Sequence, residues 1–141
     1  MEKLFFAIYN FALVLKENGD LNDAELLQFQ VVDMRNKQLG AEHPATLNSM
    51  ANLAEIYSDQ GRWNEAEQLQ LQVMDIREKL FGKEHINTLV SMANLASTYN
   101  HQGRWNEAEQ LEVQVMVMTK KLLGGEHPDT LNSMGDRKSV V

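Results

Sequence analysis

The sequence predicts an all-α protein, an antiparallel helix-pair solenoid of three full repeats and an incomplete fourth. Three observations predict it: a period of 42 residues, apolar stripes at helical spacing, and single glycines between the stripes. When residues 43–84 are aligned with residues 85–126, 27 of the 42 positions are identical. Self-similarity at a fixed period of this length is typical of solenoids, in which stacked units bury a continuous core.

The first copy, residues 3–42, is the weakest of the three full copies but keeps the same register. A fourth copy begins at position 127 and stops at position 134, and residues 135–141 match the repeat poorly. We therefore predict a repeat domain over residues 1–134, followed by a short C-terminal tail.

Each copy divides into two helices. In the second copy, apolar residues between Leu47 and Tyr57 recur every three or four positions, which is the spacing of one helix face. Gly61 interrupts this stripe, and a second stripe follows until Gly82, where a residue that adopts positive φ suits a helix end. The predicted helices cover residues 3–17, 22–38, 45–59, 64–80, 87–101 and 106–122, and a seventh begins near position 129.

Two kinds of residue mark the helix starts. Pro44 and Pro128 stand where a first helical turn should begin, and proline is tolerated there because its missing N–H has no helical partner. An asparagine followed three positions later by a glutamate predicts a capping box at the start of each second helix. The asparagines are Asn22, Asn64 and Asn106, and the glutamates are Glu25, Glu67 and Glu109.

Composition limits the classes of function. The formal net charge is −7, which disfavours nucleic acid and anionic membrane surfaces as partners and leaves basic or neutral peptides. No apolar run approaches the roughly 20 residues that cross a bilayer. Cysteine is absent, so thiolate metal ligands and cysteine nucleophiles are excluded, and a reducing cytoplasmic location is the expected one.

The sequence contains no pattern of residues that is typical of a catalytic site. The glycines stand singly at turns, and the repeated serines fall at helical positions, so neither a phosphate loop nor a nucleophile elbow is predicted. His43, His85 and His127 occupy one position in successive copies, which keeps them too far apart for a single zinc ion. We expect them to be helix-start residues, and we expect no enzyme activity, no cofactor and no metal.

The repeat resembles the tetratricopeptide repeat. The resemblance rests on paired alanines, on the Leu-Ala-x-x-Tyr segments at 53–57 and 95–99, and on Gly-Arg-Trp-Asn-Glu-Ala at 61–66 and 103–108. The usual period of that family is 34 residues, whereas this chain has 42 and a Gly-x-Glu-His-Pro joint. That variant resembles the repeats of kinesin light chains, and it is also similar to the repeat arrays of fungal NACHT and NB-ARC receptors.

The resemblance implies a right-handed solenoid that holds a peptide or partner protein in a concave groove lined by the first helix of each repeat. Kinesin light chains are similar in using groove asparagines, and these positions correspond to Asn10, Asn52 and Asn94. An asparagine carries a donor and an acceptor, so a row of them matches the N–H and C=O groups of an extended backbone. An alternative is that these amides bind water or an adjacent helix. Neighbours included in the expected groove are Asn48, Glu55, Ser97 and Asn100.

Arg35 and Arg77 lie near the ends of second helices, and Thr119 replaces them in the third copy. They are included in the expected site because a guanidinium binds a carboxylate with paired donors. The alternative is that each cation complements the negative end of its own helix dipole. Trp63 and Trp105 are expected to be buried at the turn between the helices.

Three functional hypotheses remain open at this point. The leading one is an adaptor that binds an extended peptide, as the likeness to kinesin light chains implies. The second is a ligand-sensing or self-assembling segment of a larger NACHT/NB-ARC-type receptor. An apolar third copy without a polar cap would allow self-association. The third hypothesis, an enzyme, has no supporting motif.

Overall fold

The computed structural model describes residues 2–17 and 20–124, and every regular element within these residues is a helix. The all-α class is confirmed, and each predicted helix boundary lies within one residue of the observed one. The predicted seventh helix, fourth copy, His127, Pro128 and tail lie outside the described residues. The helices are α1 (Glu2–Glu17), α2 (Leu21–Leu39), α3 (Pro44–Asp59), α4 (Trp63–Phe81), α5 (Ile86–His101) and α6 (Trp105–Leu123).

The structure consists of two compact units, Met1–Ile76 and Arg77–Val141. In the first unit the apolar stripes of three helices meet, as the periodicity of the sequence predicts. A core of buried residues forms from α3 and α4, and α2 adds a side chain to it. The core residues are Leu47, Met50 and Val73, with Val32, Leu69 and Ile76 packed against them.

In the second unit α5 supplies most of the buried side chains, and α6 packs against it. The alanines that the sequence predicts at helix crossings are buried in both units. Ala54 and Ala66 have at most 1% of their surface exposed, and the same holds for Ala96 and Ala108. A larger side chain at these points would push the helix axes apart.

The helix ends follow backbone geometry. Gly82 has φ +88° and its N–H donates to Glu78 O at 2.8 Å, which closes the last turn of α4. Gly61 has φ +77° in the turn between α3 and α4. Residues with a Cβ rarely adopt this left-handed region, so the predicted breaks at both glycines are confirmed.

Histidines cap the first helices of the second and third copies. The Nδ1 atom of His43 accepts a hydrogen bond from the N–H of Ala45 at 3.1 Å, and Pro44 occupies the first helical position. The Nδ1 atom of His85 likewise accepts from the N–H of Asn87 at 3.0 Å. The expectation that these histidines start helices is confirmed, and each satisfies one backbone donor that has no partner within the helix.

The predicted capping boxes are wrong. Asn22 and Asn106 lie inside α2 and α6, whose N-cap residues, Asp20 and Arg104, make no side-chain capping bond. Gln60 of the next repeat binds the first of these asparagines, because its Nε2 atom donates to Asn22 Oδ1 at 3.4 Å. Each of these helices begins one residue before its asparagine. The asparagine is therefore inside the first turn and not at the N-cap position.

A cluster around Arg62 joins the first two repeats. The Nη1 atom of Arg62 donates to Glu25 Oε1 at 2.5 Å, and its other nitrogens bind the Glu65 carboxylate. The guanidinium carbon lies 4.5 Å from the centre of the Tyr57 ring, within cation–π range. Gln60 Nε2 also donates to Glu25 Oε1 at 3.0 Å. The Arg62 side chain therefore links α2, the α3–α4 turn and α4.

The expectation for the tryptophans is wrong for Trp105, which is 65% exposed, and holds in part for Trp63, which is half-buried. The α5–α6 pair by itself does not cover this position. Burial of Trp105 would require contacts from residues outside α5 and α6. The periodicity within one repeat does not predict such contacts.

A survey of the described helices for membrane-spanning candidates found none with the necessary length and apolar character.

The His43→Ala variant is expected to lower the free energy of unfolding by about 1 kcal/mol, because the N–H of Ala45 loses its side-chain acceptor. His43→Asn should retain most of the stability, since asparagine is a good N-cap residue. Urea unfolding followed by circular dichroism measures both. Equal midpoints for wild type and His43→Ala would contradict the capping role.

The Arg62→Met variant is expected to unfold at lower urea concentration than wild type at pH about 7, and the difference should shrink below pH about 4. The hydrogen bond from Arg62 lowers the pKa of Glu65. A carboxyl group with a lowered pKa contributes stability above its unfolded-state pKa and loses it as the pH falls through the folded-state value. Arg62→Lys is the charge-preserving control. A pH-independent difference would show that the charge pair is not the cause.

Candidate functional site

The first helices, α1, α3 and α5, each carry a side that does not face the core. On α3, Asn48 and Glu55 are exposed, and Asn52 between them is half-buried. These residues follow one another at spacings of four and three, so they share one face of the helix. The opposite face is buried and includes Leu47, Met50 and Leu53.

The equivalent face of α5 has a different composition. Asn94 and Ser97 are exposed, and Ile86 and Val90 extend the same face toward the start of the helix with exposed apolar side chains. At the other end His101 is exposed, and its Nδ1 atom lies 2.8 Å from Ser97 O. The α5 face thus changes from apolar to polar along the helix.

The predicted residues Asn10 and Asn100 differ in their surroundings. Asn10 is exposed on α1, as is its neighbour Phe6. Asn100 is half-buried, and its Nδ2 atom donates to Glu112 Oε1 at 3.0 Å. This contact ties the amide of Asn100 to α6, so it faces α6 of its own helix pair.

Electrostatics distinguish the two faces. The α3 face carries the carboxylate of Glu55 and ends near the exposed Asp59, where the helix dipole is also negative. At the positions equivalent to Asn48 and Glu55, α5 has Val90 and Ser97 and no charge. The α3 face therefore has a negative potential, whereas the α5 face is neutral and partly apolar.

Arg35 and Arg77 make bonds that neither sequence expectation anticipated. The Nη1 atom of Arg35 donates to Ala45 O at 3.0 Å and to Ser49 Oγ at 3.2 Å. Arg77 is 8% exposed, and its Nη1 atom donates a hydrogen bond to Ser91 Oγ at 2.9 Å. Burial lowers the pKa of its guanidinium. Each arginine is thus engaged with the first helix of the following repeat.

Gln28 is a functional residue of this junction that the sequence analysis missed. It is fully buried, and its Nε2 atom donates to Ser49 O at 3.1 Å. The sequence contains a sign of it, because Gln70 repeats it after 42 residues while Glu112 replaces it in the third copy. A polar residue in the middle of an apolar stripe at a fixed register indicates a buried hydrogen bond.

Among the described residues, no group of three or more histidine, aspartate or glutamate side chains could hold a metal ion. His43 and His85 use their Nδ1 atoms for helix capping. The groups that this surface offers a ligand are amide, hydroxyl, carboxylate and apolar side chains, which suit the recognition of a polypeptide.

Comparisons with known proteins agree with the helix-pair architecture. A family model described as tetratricopeptide repeat matches residues 4–79 and 48–116. The chain is similar to the crystal structure of a Podosopora anserina protein, a kinesin light chain candidate with nearly identical TPR-like repeats, with 34% identity and a TM-score of 0.79. A single-substitution variant of that protein gives 36% identity and a TM-score of 0.78. A search of the curated proteins found no match.

The aligned parts cover 94% of this chain and 63% of the Podosopora anserina protein, or 90% and 60% for its variant. The chain therefore spans about three fifths of the length of these solved relatives. The structure of BtubC from P. vanneervenii shares the fold, with a TM-score of 0.79 at 15% identity over 92% of this chain and 52% of that one.

Arg77→Ala is expected to lower the free energy of unfolding by about 1.5–3 kcal/mol, because a buried hydrogen bond to a charged group is lost. The matched control is Thr119→Ala at the equivalent position of α6, with an expected effect within about 0.5 kcal/mol. Both free energies come from urea unfolding. Equal effects of the two substitutions would argue against the structural role of Arg77.

Proposed function

Because the chain belongs to the tetratricopeptide repeat family and is of the kinesin-light-chain type, we propose that it is an adaptor that binds an extended peptide of another protein. The observation that carries the proposal is the amide found at one register in the three described first helices, α1, α3 and α5. Asn10 and Asn94 are exposed and Asn52 is half-buried, so all three present surface to a ligand.

The chemistry of these amides supports backbone recognition. Each asparagine side chain has one acceptor oxygen and two donor hydrogens, which complement the C=O and N–H groups of an extended peptide. Backbone contacts hold a peptide irrespective of its sequence, so selectivity has to come from the neighbouring side chains. Those neighbours differ between copies: Phe6 in α1, Asn48 in α3 and Val90 in α5.

Charge favours one class of peptide. The chain has a formal net charge of −7, and the α3 face carries Glu55 with Asp59 close to its end. The α3 face favours lysine or arginine in a peptide, and the α5 face favours an aliphatic side chain near Val90. Nucleic acid and anionic membranes are disfavoured as partners by the same charge. The proposed location of such an adaptor is the cytoplasm.

Arg35 and Arg77 have a different part in this proposal. Their hydrogen bonds to α3 and α5 hold the two first helices that carry the asparagines. We therefore assign them to positioning, and we assign peptide contact to Asn10, Asn48, Asn52, Glu55, Asn94 and Ser97.

The second candidate is a segment of a longer NACHT/NB-ARC-type receptor that assembles with copies of itself. The specific observation in its favour is Trp105, a large aromatic side chain with 65% of its surface exposed at the start of α6. Exposed apolar surface of this kind is typical of association sites. This candidate does not require peptide binding.

The test of peptide binding uses peptides selected from a random library displayed on phage, with the immobilised chain as bait. The double variant Asn52→Leu/Asn94→Leu is expected to weaken binding of a selected, labelled peptide by about tenfold or more. Two lost hydrogen-bonding groups at about 0.5–1.5 kcal/mol each account for that factor. Fluorescence anisotropy gives the dissociation constants.

The control is Asn36→Leu/Asn106→Leu, which removes two exposed amides from the second helices α2 and α6. It should bind the peptide as wild type does. Unchanged affinity in a folded Asn52→Leu/Asn94→Leu protein, or an equal loss in the control, would exclude the first-helix faces as the binding surface.

A further inference from the structure

One side of α2 carries two large apolar side chains that are open to solvent. Leu26 is 63% exposed and Phe29 is 58% exposed. They stand three positions apart, so they share one side of the helix. The buried residues of α2, which are Ala24, Gln28 and Val31, lie on the opposite side. We call the side that carries Leu26 and Phe29 the outer face of α2.

The exposure of this face is a property of the repeat and does not depend on the place of the first copy in the chain. Gln68 is the equivalent of Leu26 in α4, and its copy has another copy before it and another after it in the sequence. Gln68 is nevertheless exposed, and so is its equivalent Gln110 in α6. Of the three full copies, the first alone has an apolar side chain at this position.

Phe29 connects the outer face to the core of the first unit. It stands one helical turn before Val32, which packs against the core. Its equivalents Leu71 and Val113 are also apolar, and Val113 is exposed. The apolar positions of α2 therefore extend from the core through Phe29 to Leu26. Surface of this kind, with an aromatic side chain next to an aliphatic one, is typical of protein association sites.

Two exposed aspartates stand on either side of the apolar pair. Asp23 is three positions before Leu26. Asp33 is four positions after Phe29, and these spacings keep all four residues on one face. Asp33 forms an ion pair with Lys37 at 3.0 Å, in which both side chains are more than half exposed. An exposed pair of this kind is weak, so a cation from a partner can replace Lys37.

The start of α2 differs in charge from the starts of α4 and α6. In those two helices an arginine before the helix binds a glutamate of the first turn, as Arg104 Nε does when it donates to Glu107 Oε1 at 2.8 Å. At the same two positions the first copy has Asp20 and Asp23, and both are exposed. Two carboxylates cannot form this bond when ionised. An arginine or lysine of a partner would supply the cation that the other copies supply themselves.

The surface favours a helix as its occupant. The backbone N–H and C=O groups of α2 are bonded within the helix, so an extended peptide would find no backbone partner there. A helix satisfies its own backbone groups and can pack side chains against Leu26 and Phe29. A second copy of this chain would bring its own aspartates against Asp23 and Asp33, and an anionic membrane would also bring negative charge. Both are therefore disfavoured.

We infer that the outer face of α2 docks a basic amphipathic helix of another protein. The apolar stripe of that helix packs on Leu26 and Phe29, and its lysine or arginine side chains pair with the flanking aspartates. From Asp23 to Asp33 α2 rises by about 15 Å, which a partner helix of about three turns spans. The inference involves no residue of the first-helix faces, so it is independent of the proposed binding of an extended peptide.

The test uses the full chain and a labelled synthetic helix of leucine and lysine, about four turns long, with its leucines in one stripe. Fluorescence anisotropy gives the dissociation constants, and wild type is expected to bind. Leu26→Gln/Phe29→Gln introduces at position 26 the residue that the other copies carry there. It should weaken binding by about tenfold or more, because anchors at the centre of a contact carry most of the binding energy.

A second variant tests the charge. Asp20→Arg/Asp23→Glu recreates the arginine–glutamate pair of α4 and α6 within the first copy. It should bind the leucine–lysine helix more weakly than wild type, and its affinity should depend less on salt concentration. A probe with glutamate in place of every lysine should not bind wild type. Binding of this acidic helix as tightly as the basic one would overturn the inference.

The matched control is Ile86→Gln/Val90→Gln, which removes two exposed apolar side chains from α5. It should bind the leucine–lysine helix as wild type does, and circular dichroism checks that every variant is folded. Three results would each overturn the inference: no binding by wild type, unchanged affinity in Leu26→Gln/Phe29→Gln, or an equal loss in the control. Sedimentation equilibrium identifies a fourth, which is self-association of wild type that the Leu26→Gln/Phe29→Gln variant lacks.

Discussion

A hydrogen bond from a second-helix arginine to the start of the following first helix is the contact on which the repeats depend. Arg35 binds Ser49 in one unit, and Arg77 binds Ser91 in the other, at the same register. A guanidinium that leaves water loses hydration, and bonds to specific acceptors are needed to offset that loss. A slip of one residue would remove Ser91 from Arg77 without restoring water to the guanidinium. The bond therefore fixes register, where apolar packing alone would tolerate several arrangements.

Fixed register on the buried side allows variation on the exposed side. In α3 and α5 the residues toward the core are nearly the same: Thr, Leu, Ser, Met, Leu and Ala recur in order. On the other face the asparagines Asn52 and Asn94 recur, but Glu55 is replaced by Ser97. The residues that hold the stack are thus separate from the exposed residues that we propose face a ligand. This separation is what allows a repeat scaffold to change its ligand preference without loss of stability.

Sequence rules that act within one repeat predicted the helices, but they failed for features that depend on contacts between repeats. The apolar stripes and glycines located each of the described helices to within one residue, since these features act within a few positions. The capping boxes failed because α2 and α6 begin one residue before Asn22 and Asn106, and Glu25 is instead bound by Gln60 and Arg62 of the next repeat. Asn94 and Ser97 were placed on the outer face of α5 by the resemblance to kinesin light chains, and both are exposed. The bonds of Arg35 and Arg77 were not predicted, because the sequence does not state which groups lie opposite an arginine in three dimensions.

The third copy shows how a few substitutions change the hydrogen bonds that a second helix can make. Glu112 and Thr119 stand where α2 has a glutamine and an arginine that both donate hydrogen bonds to α3. A carboxylate accepts hydrogen bonds and donates none when ionised, and threonine is too short to reach across the junction as arginine does. In α6 the Glu112 carboxylate accepts a hydrogen bond from Asn100 Nδ2 at 3.0 Å, so this position stabilises the α5–α6 pair.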